Sequence, residues 1–203
     1  MEWQVEFYPG VEQEILSMPP KIQARMLRLL EMVETHGANL GPPHTESMGD
    51  GLFEIRAKAK EGIGRSLFCY VHGKHIVVLH AFVKKSQKNA ASGVNVSADK
   101  TARGAVMMNL KALKEQALQN PEVEAEYERL APEFALASTL ISMRQRAGLT
   151  QEELAKRLDT QKSNISRLER GSSNPGWKTL QRYAHACGFE LTVHVEQQKQ
   201  PAH

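Results

Sequence analysis

Residues 148–171 read Gly-Leu-Thr-Gln-Glu-Glu-Leu-Ala-Lys-Arg-Leu-Asp-Thr-Gln-Lys-Ser-Asn-Ile-Ser-Arg-Leu-Glu-Arg-Gly, and this run decides how the second half of the chain folds. Thr150, with Glu153 three positions later, is a capping box that starts a helix. Leu154, Ala155 and Leu158 supply its buried side, and the small Ala155 admits a second helix at close range. Asp159-Thr160 makes a brief turn. A second helix over 161–169 anchors on Ile165 and Leu168, leaving Gln161, Lys162, Ser163, Ser166 and Arg167 outward. Amides, hydroxyls and cations are the side chains that read base edges and grip phosphates. A solvated helical hairpin would share that polar face. It would not require the capping box, small residue, turn and anchors to coincide.

Extended to "LTQEELAKRL…SNISRLERG…P…TLQRYAHACGFEL", the pattern resembles the Cro/repressor-type helix-turn-helix of the HigA antitoxin group, over about residues 136–195. The resemblance implies operator DNA as a partner. By position, Gln151 would contact a phosphate, and Lys162, Ser163 and Arg167 would lie in the major groove. Asn164 and Ser166 would be close by, and Glu169 and Gly171 would be structural. Phe189–Val195 alternates cleanly after the last helix, as a strand does. A lone strand has unpaired edges, so pairing with its copy in a second chain is expected, giving a two-fold homodimer.

Toward the N-terminus the texture changes. Trp3, Val5 and Phe7 alternate with Glu2, Gln4 and Glu6 as in a half-buried strand, ended by Pro9-Gly10. From Pro19-Pro20 onward, Ile22, Met26, Leu29, Leu30 and Val33 fall on one helical face, closed by Gly37. The stretch 41–51 has loop composition. Three strands are expected over 52–58, 65–72 and 75–83, joined by hairpin-like turns. This order predicts a small α+β domain, an antiparallel sheet with helices on one face. Residues 89–107 read as a linker. Leu110–Leu118, Pro121–Leu130 and Pro132–Ala147 read as three further helices.

On the first hairpin strand, Glu54, Arg56 and Lys58 share one face, a cationic surface suited to an RNA backbone. The run "GLFEIRAKAKEGIGRSLFCYVHGKHIVVLHAFVKKSQK", with "IQARMLRLLE", resembles the HigB toxins of the phage-derived, Gp49-like branch of the RelE superfamily, over about residues 3–88. Members of that family cut messenger RNA in the ribosomal A site, so the resemblance implies ribosome and mRNA as partners and no cofactor. Metal-free cleavage needs a base for the 2′-hydroxyl, cations for the phosphorane and an acid for the leaving oxygen. Arg56 and Arg65 are the candidates for the phosphate, because guanidinium presents a planar fork to two oxygens. Glu54 is the candidate base, with His80 and Tyr70 as weaker ones, and Lys84 and Lys85 are candidates for RNA binding or proton donation. Exposed strand charges are often only solvated pairs, and Glu54–Arg56 could be one. Where the family continues into Thr-Pro and a helix, this chain has Asn89-Ala90-Ala91-Ser92-Gly93.

The layout expected is therefore a RelE/HigB-like domain over 1–88, a linker over 89–107, and a HigA-like all-α portion with a terminal strand over 108–203. A linker of this length has a reach of roughly 25 Å and gives an effective concentration of about millimolar, so intrachain neutralisation is expected. Glu122, Glu124, Glu126 and Glu128 are candidates for the contact with the N-terminal half. The alternative is a transcriptional regulator whose N-terminal domain is an inactive remnant used for assembly. Net charge is only +3: residues 1–85 hold 10 Lys/Arg against 10 Asp/Glu, and 108–203 hold 13 against 12. Any nucleic-acid binding must come from local clustering of cations. Cys69 and Cys187 fall in different halves, and His72, His75 and His80 match no metal spacing, so no metal site is expected. No run is long enough for a membrane span and no signal peptide is apparent, so a cytoplasmic protein is expected.

Overall fold

The computed structural model describes residues 3–37, 40–71, 73–84, 107–171 and 173–195. Lys85, His72 and nearly all of the expected linker lie outside the described residues. The N-terminal alternation forms β1 (Gln4–Phe7), which turns through Gly10 into α1 (Val11–Leu16) and then α2 (Pro20–His36). Pro20 at the first turn of α2 needs no N–H partner, and the apolar stripe of that helix is buried from Ile22 to Val33. The sheet continues with β2 (Thr45–Gly49), β3 (Leu52–Ala59), β4 (Gly62–Tyr70), β5 (His75–Lys84) and β6 (Met108–Asn109). Its spatial order is β2-β3-β4-β5-β1-β6.

The structure departs from the expected strands in three places. The sheet is mixed, because β1 runs parallel to β5 while every other pairing is antiparallel. The stretch read as loop from its composition contains β2, an irregular edge strand whose register shifts between Ser47 and Gly49. Edge position explains the polar sequence, since four of its five residues are exposed. The terminal alternation forms no strand over 189–195, and Val193 and Val195 stand 65% and 92% exposed.

The second half opens with α3 (Leu110–Ala117), capped by the Asn109 side chain, and α4 (Pro121–Arg146). The two helices expected on either side of Pro132 are one 26-residue helix. Proline deprives the Glu128 carbonyl of its helical partner, but Glu128 is exposed to water, and in the preceding turn Arg28 donates to the Tyr127 carbonyl at 2.9 Å. The helix α4 packs along α2, and β6 extends the sheet beside β1. One core therefore contains Ile22, Leu30 and Phe68 together with Leu113, Val123, Leu130 and Ile141. A second core gathers α5 (Gln151–Arg157), α6 (Lys162–Glu169) and α7 (Trp177–Ala186) around Leu154, Ile165, Tyr183 and Ala184.

Two glycines permit close approach. A Cβ on Gly64 of β4 would stand 2.4 Å from the Ile22 Cγ2 on α2, and one on Gly171 would stand 2.2 Å from the Glu133 carbonyl oxygen. Gly171 also has φ +78, which glycine adopts without strain.

The seam between the halves is polar at its rim. Arg25 makes a bidentate pair with Glu133 at 2.8 and 3.1 Å, and Lys114 meets Glu31 at 2.6 Å. Arg28 lies 3.5 Å over the Tyr127 ring, whose hydroxyl donates to Glu31 at 2.7 Å. The acids expected at this contact are placed differently: Glu122, Glu124 and Glu128 are exposed, and Glu126 pairs with Arg129 on its own helix. Helical periodicity turns Val123, Tyr127 and Leu130 inward and these three acids to solvent. Because Leu130 belongs to the shared core, Leu130→Ala should cost about 2–5 kcal/mol. It should lower hydrogen-exchange protection in the sheet and in α4 alike, and loss confined to residues 107–195 would show two independent units.

Candidate nucleic-acid interfaces

On β3 and β4, Arg56 stands directly opposite Arg65, and both point to the sheet face that the helices leave open. Register places Lys84 on the same face, opposite Ile63 in the row of Lys58. The two guanidiniums converge on Glu54: Arg56 Nε donates to one carboxylate oxygen at 2.5 Å, and Arg65 Nη1 donates to the other. Arg56 also pairs with Glu46 on β2. Glu54 is 2% exposed, which sets it apart from the solvent-facing base expected from strand alternation. Alternation fixes the face of a residue but not its cross-strand neighbours, and here two arginines fold over the carboxylate. The Arg65 Nε is a buried donor with no acceptor among the described residues.

His80 lies on this open face, stacked on Phe82, and its Nδ1 is 2.9 Å from both carboxylate oxygens of Glu14 on α1. Tyr70 is on the other face, against Trp3 and Phe53 with ring centroids 5.1 and 5.4 Å away. It is therefore not brought together with the arginines. A bulge between Leu67 and Phe68 changes the register of β4 against β5, a feature that composition does not reveal.

In the second half the capping box is present in full: Thr150 accepts from the Glu153 N–H, and the Glu153 carboxylate accepts from the Thr150 N–H at 2.8 Å. Asp159 occupies the turn at φ 49. Gln161, Lys162, Ser163, Asn164 and Arg167 are exposed. Gln151 and Ser166 are engaged within the chain. The Gln151 amide, 5% exposed, donates to the Pro42 carbonyl at 3.1 Å and to Glu169 at 2.8 Å, and Ser166 donates to the same Pro42 carbonyl at 2.8 Å. The expected phosphate contact through the Gln151 side chain is thus replaced, because the Leu40–His44 segment sits over the start of α5 and the side of α6. Paired prolines at 42 and 43 were the only sequence signal of this segment, and they read simply as loop.

Beneath it lies a buried network. Glu169, fully buried, accepts from Arg144 at 2.6 and 2.9 Å and from the Tyr183 hydroxyl at 2.5 Å. Burial, then the neighbouring carboxylate, pushes the Tyr183 hydroxyl far above its ordinary value. The Glu169 backbone carbonyl accepts from His44 Nε2 at 2.7 Å, and Arg144 donates to the Leu40 carbonyl at 3.3 Å.

Residues 13–100 match a family described as phage-derived protein Gp49-like, and residues 135–196 match a helix-turn-helix domain. The chain thus joins a segment of the Gp49-like type to a helix-turn-helix unit, and the first match runs on through residues that composition assigns to a linker. Antitoxin HigA1 of Mycobacterium tuberculosis, in strains CDC 1551/Oshkosh and ATCC 25618/H37Rv, is 38% identical over 61 residues. That similarity covers 30% of this chain and spans 41% of the relatives' length. No helix among the described residues is long and apolar enough to cross a membrane.

Burial lowers the pKa of His44 below its ordinary 6.5. The Glu169 carbonyl works against that shift, while Arg25 and Arg170 add to it. His36, at the same seam 2.7 Å from Ser138, is also lowered by burial. The unfolded chain takes up these protons near pH 6.5 while the folded chain does not, so stability falls as pH drops through that value. The melting temperature should fall further between about pH 7.5 and about pH 5.5 in the wild type than in His44→Gln, which keeps a donor but cannot titrate. Equal falls would remove His44 as a cause.

Proposed function

We propose that the chain is a fused toxin–antitoxin regulator. Its N-terminal half is a metal-independent endoribonuclease acting on ribosome-bound mRNA, and its C-terminal half both neutralises that activity and represses its own operon by binding operator DNA. The observation that carries the RNA reading is the convergence of Arg56 and Arg65 on one open sheet face. Glu54, with both oxygens committed, serves to orient the two guanidiniums, whose remaining N–H donors take the scissile phosphate. His80, held at Nδ1 by Glu14, presents Nε2 as the proton acceptor for the 2′-hydroxyl, while Lys84 or Lys85 supplies the proton to the leaving oxygen. The bond from the 2′-oxygen to phosphorus forms as the bond to the 5′-oxygen breaks, which leaves a cyclic phosphate. The similarity to Antitoxin HigA1 and the exposed Lys162, Ser163, Asn164 and Arg167 support the DNA reading, with Arg167 bidentate to a base edge.

Residues 1–106, expressed alone under tight control and shown by circular dichroism to fold, should cleave mRNA on ribosomes. Arg56→Ala or Arg65→Ala should each reduce that cleavage by about 100-fold or more. A folded but inert fragment would favour the reading as an inactive remnant that serves assembly. The exposed Val193 and Val195 suit pairing with a second copy across a two-fold axis, which operator symmetry requires. Light scattering should show Val193→Pro as a monomer where the wild type is a dimer, and an unchanged dimer overturns that pairing.

A further inference from the structure

Beyond Ile55, β2 no longer covers β3, and the free edge of β3 looks into a cleft of about 1030 Å³ between the two halves. The cleft is lined by Lys21 of α2, Lys58 and Lys60 from the end of β3, Arg129 of α4 and Arg170 at the end of α6, and Arg56 links it to the open sheet face. Arg129 is committed to Glu126. The side chains of Lys21, Lys58, Lys60 and Arg170 form no ion pair among the described residues. Four cations without a salt bridge, drawn from both halves into one concavity, repel one another until an anion joins them. Among the described residues Glu126, held by Arg129, is the one acid in the lining, and no Phe, Tyr or Trp lines the cleft for bases to stack on, so the contacts offered are to a phosphate backbone. Arg56 borders both this cleft and the open sheet face, so the RNA strand lying on that face is the occupant the cleft suits.

We propose that this cleft is a composite track for single-stranded RNA, in which Lys60 and Arg170 from opposite halves hold the phosphates of the strand that runs off the Arg56–Arg65 face. The proposal rests on the RNA reading of that face. It gives the C-terminal half a direct part in binding the substrate.

The test uses the full chain and a fluorescent 2′-O-methyl oligoribonucleotide of about twelve residues, which cannot be cut by its own 2′-oxygen, with anisotropy followed against salt. Lys60→Ala combined with Arg170→Ala should weaken binding at least about tenfold at low salt and lower the salt slope by about 1.4, each phosphate contact counting about 0.7. Both residues are exposed, so the fold is retained. Unchanged binding in that variant, with loss in Arg56→Ala, overturns the track and leaves the RNA face standing. If the wild type fails to bind, both readings fall. Loss confined to a duplex from upstream of the coding sequence assigns the cations to DNA and overturns the track.

Discussion

The buried carboxylate of Glu169 is the point from which the arrangement of the two halves follows. Its oxygens receive Arg144 from α4, Gln151 from α5 and Tyr183 from α7, and its backbone carbonyl receives His44 from the N-terminal half. A charge taken out of water is tolerated only where donors replace its hydration, and here every neighbouring element supplies one. Such a network contributes little net stability compared with a well-packed apolar cluster. It does, however, fix how α6 is held. The helix that would face DNA and the loop that docks the other half are set by the same residue.

That sharing changes what the DNA-facing surface can be. The Pro42 carbonyl takes the hydroxyl of Ser166 and the amide N–H of Gln151, so two donors of the expected reading surface are engaged before any DNA arrives. What remains outward is the N-terminal turn of α6 and Arg167. The cations of the N-terminal half are similarly divided: Arg56 and Arg65 are held by carboxylates, whereas Lys58 and Lys60 form no ion pair among the described residues. The even charge balance of residues 1–85 thus hides local order, with Glu46 and Glu54 placed where these two arginines converge.

Sequence made the locally determined parts legible. The capping box at Thr150, the stripe on α2 and the alternation in β3 each follow from contacts a few residues apart, and each is found close to where the spacing puts it. The features missed all depend on distant partners. The two-residue β6 is a strand only because β1 lies beside it, and β2 has loop composition because it is an edge. The strand parity of Glu54 placed it on the right face but could not show Arg65 arriving from β4. Pro132 reads as a break because propensity knows nothing of the α2 surface against which α4 runs on as one helix. Gln151 was assigned by its position in the motif, which says nothing of the Pro42 segment that meets it from the N-terminal half.

The weight of the shared core bears on how the halves stay together. A tether giving an effective concentration of about millimolar, against about micromolar for separate chains, is worth about 4 kcal/mol. Leu110, Leu113, Val123, Leu130, Phe134 and Ile141 are each 5% exposed or less within the core containing the sheet and α2. At about 1.5–3 kcal/mol for each side chain of this kind, their burial outweighs the tether even after discounting for compactness of the unfolded chain. Association of the halves is therefore a property of the packed interface, and the covalent link adds a smaller increment. Separating them would uncover that apolar surface and break the pairing of β6 with β1 together. Among the described residues the arginine-bearing face stays open, because α3 and α4 cover α2 and the sheet edge and leave that face clear. Neutralisation by the C-terminal half would then act on the ribosome's access to the face, since none of its described residues lies over the two arginines.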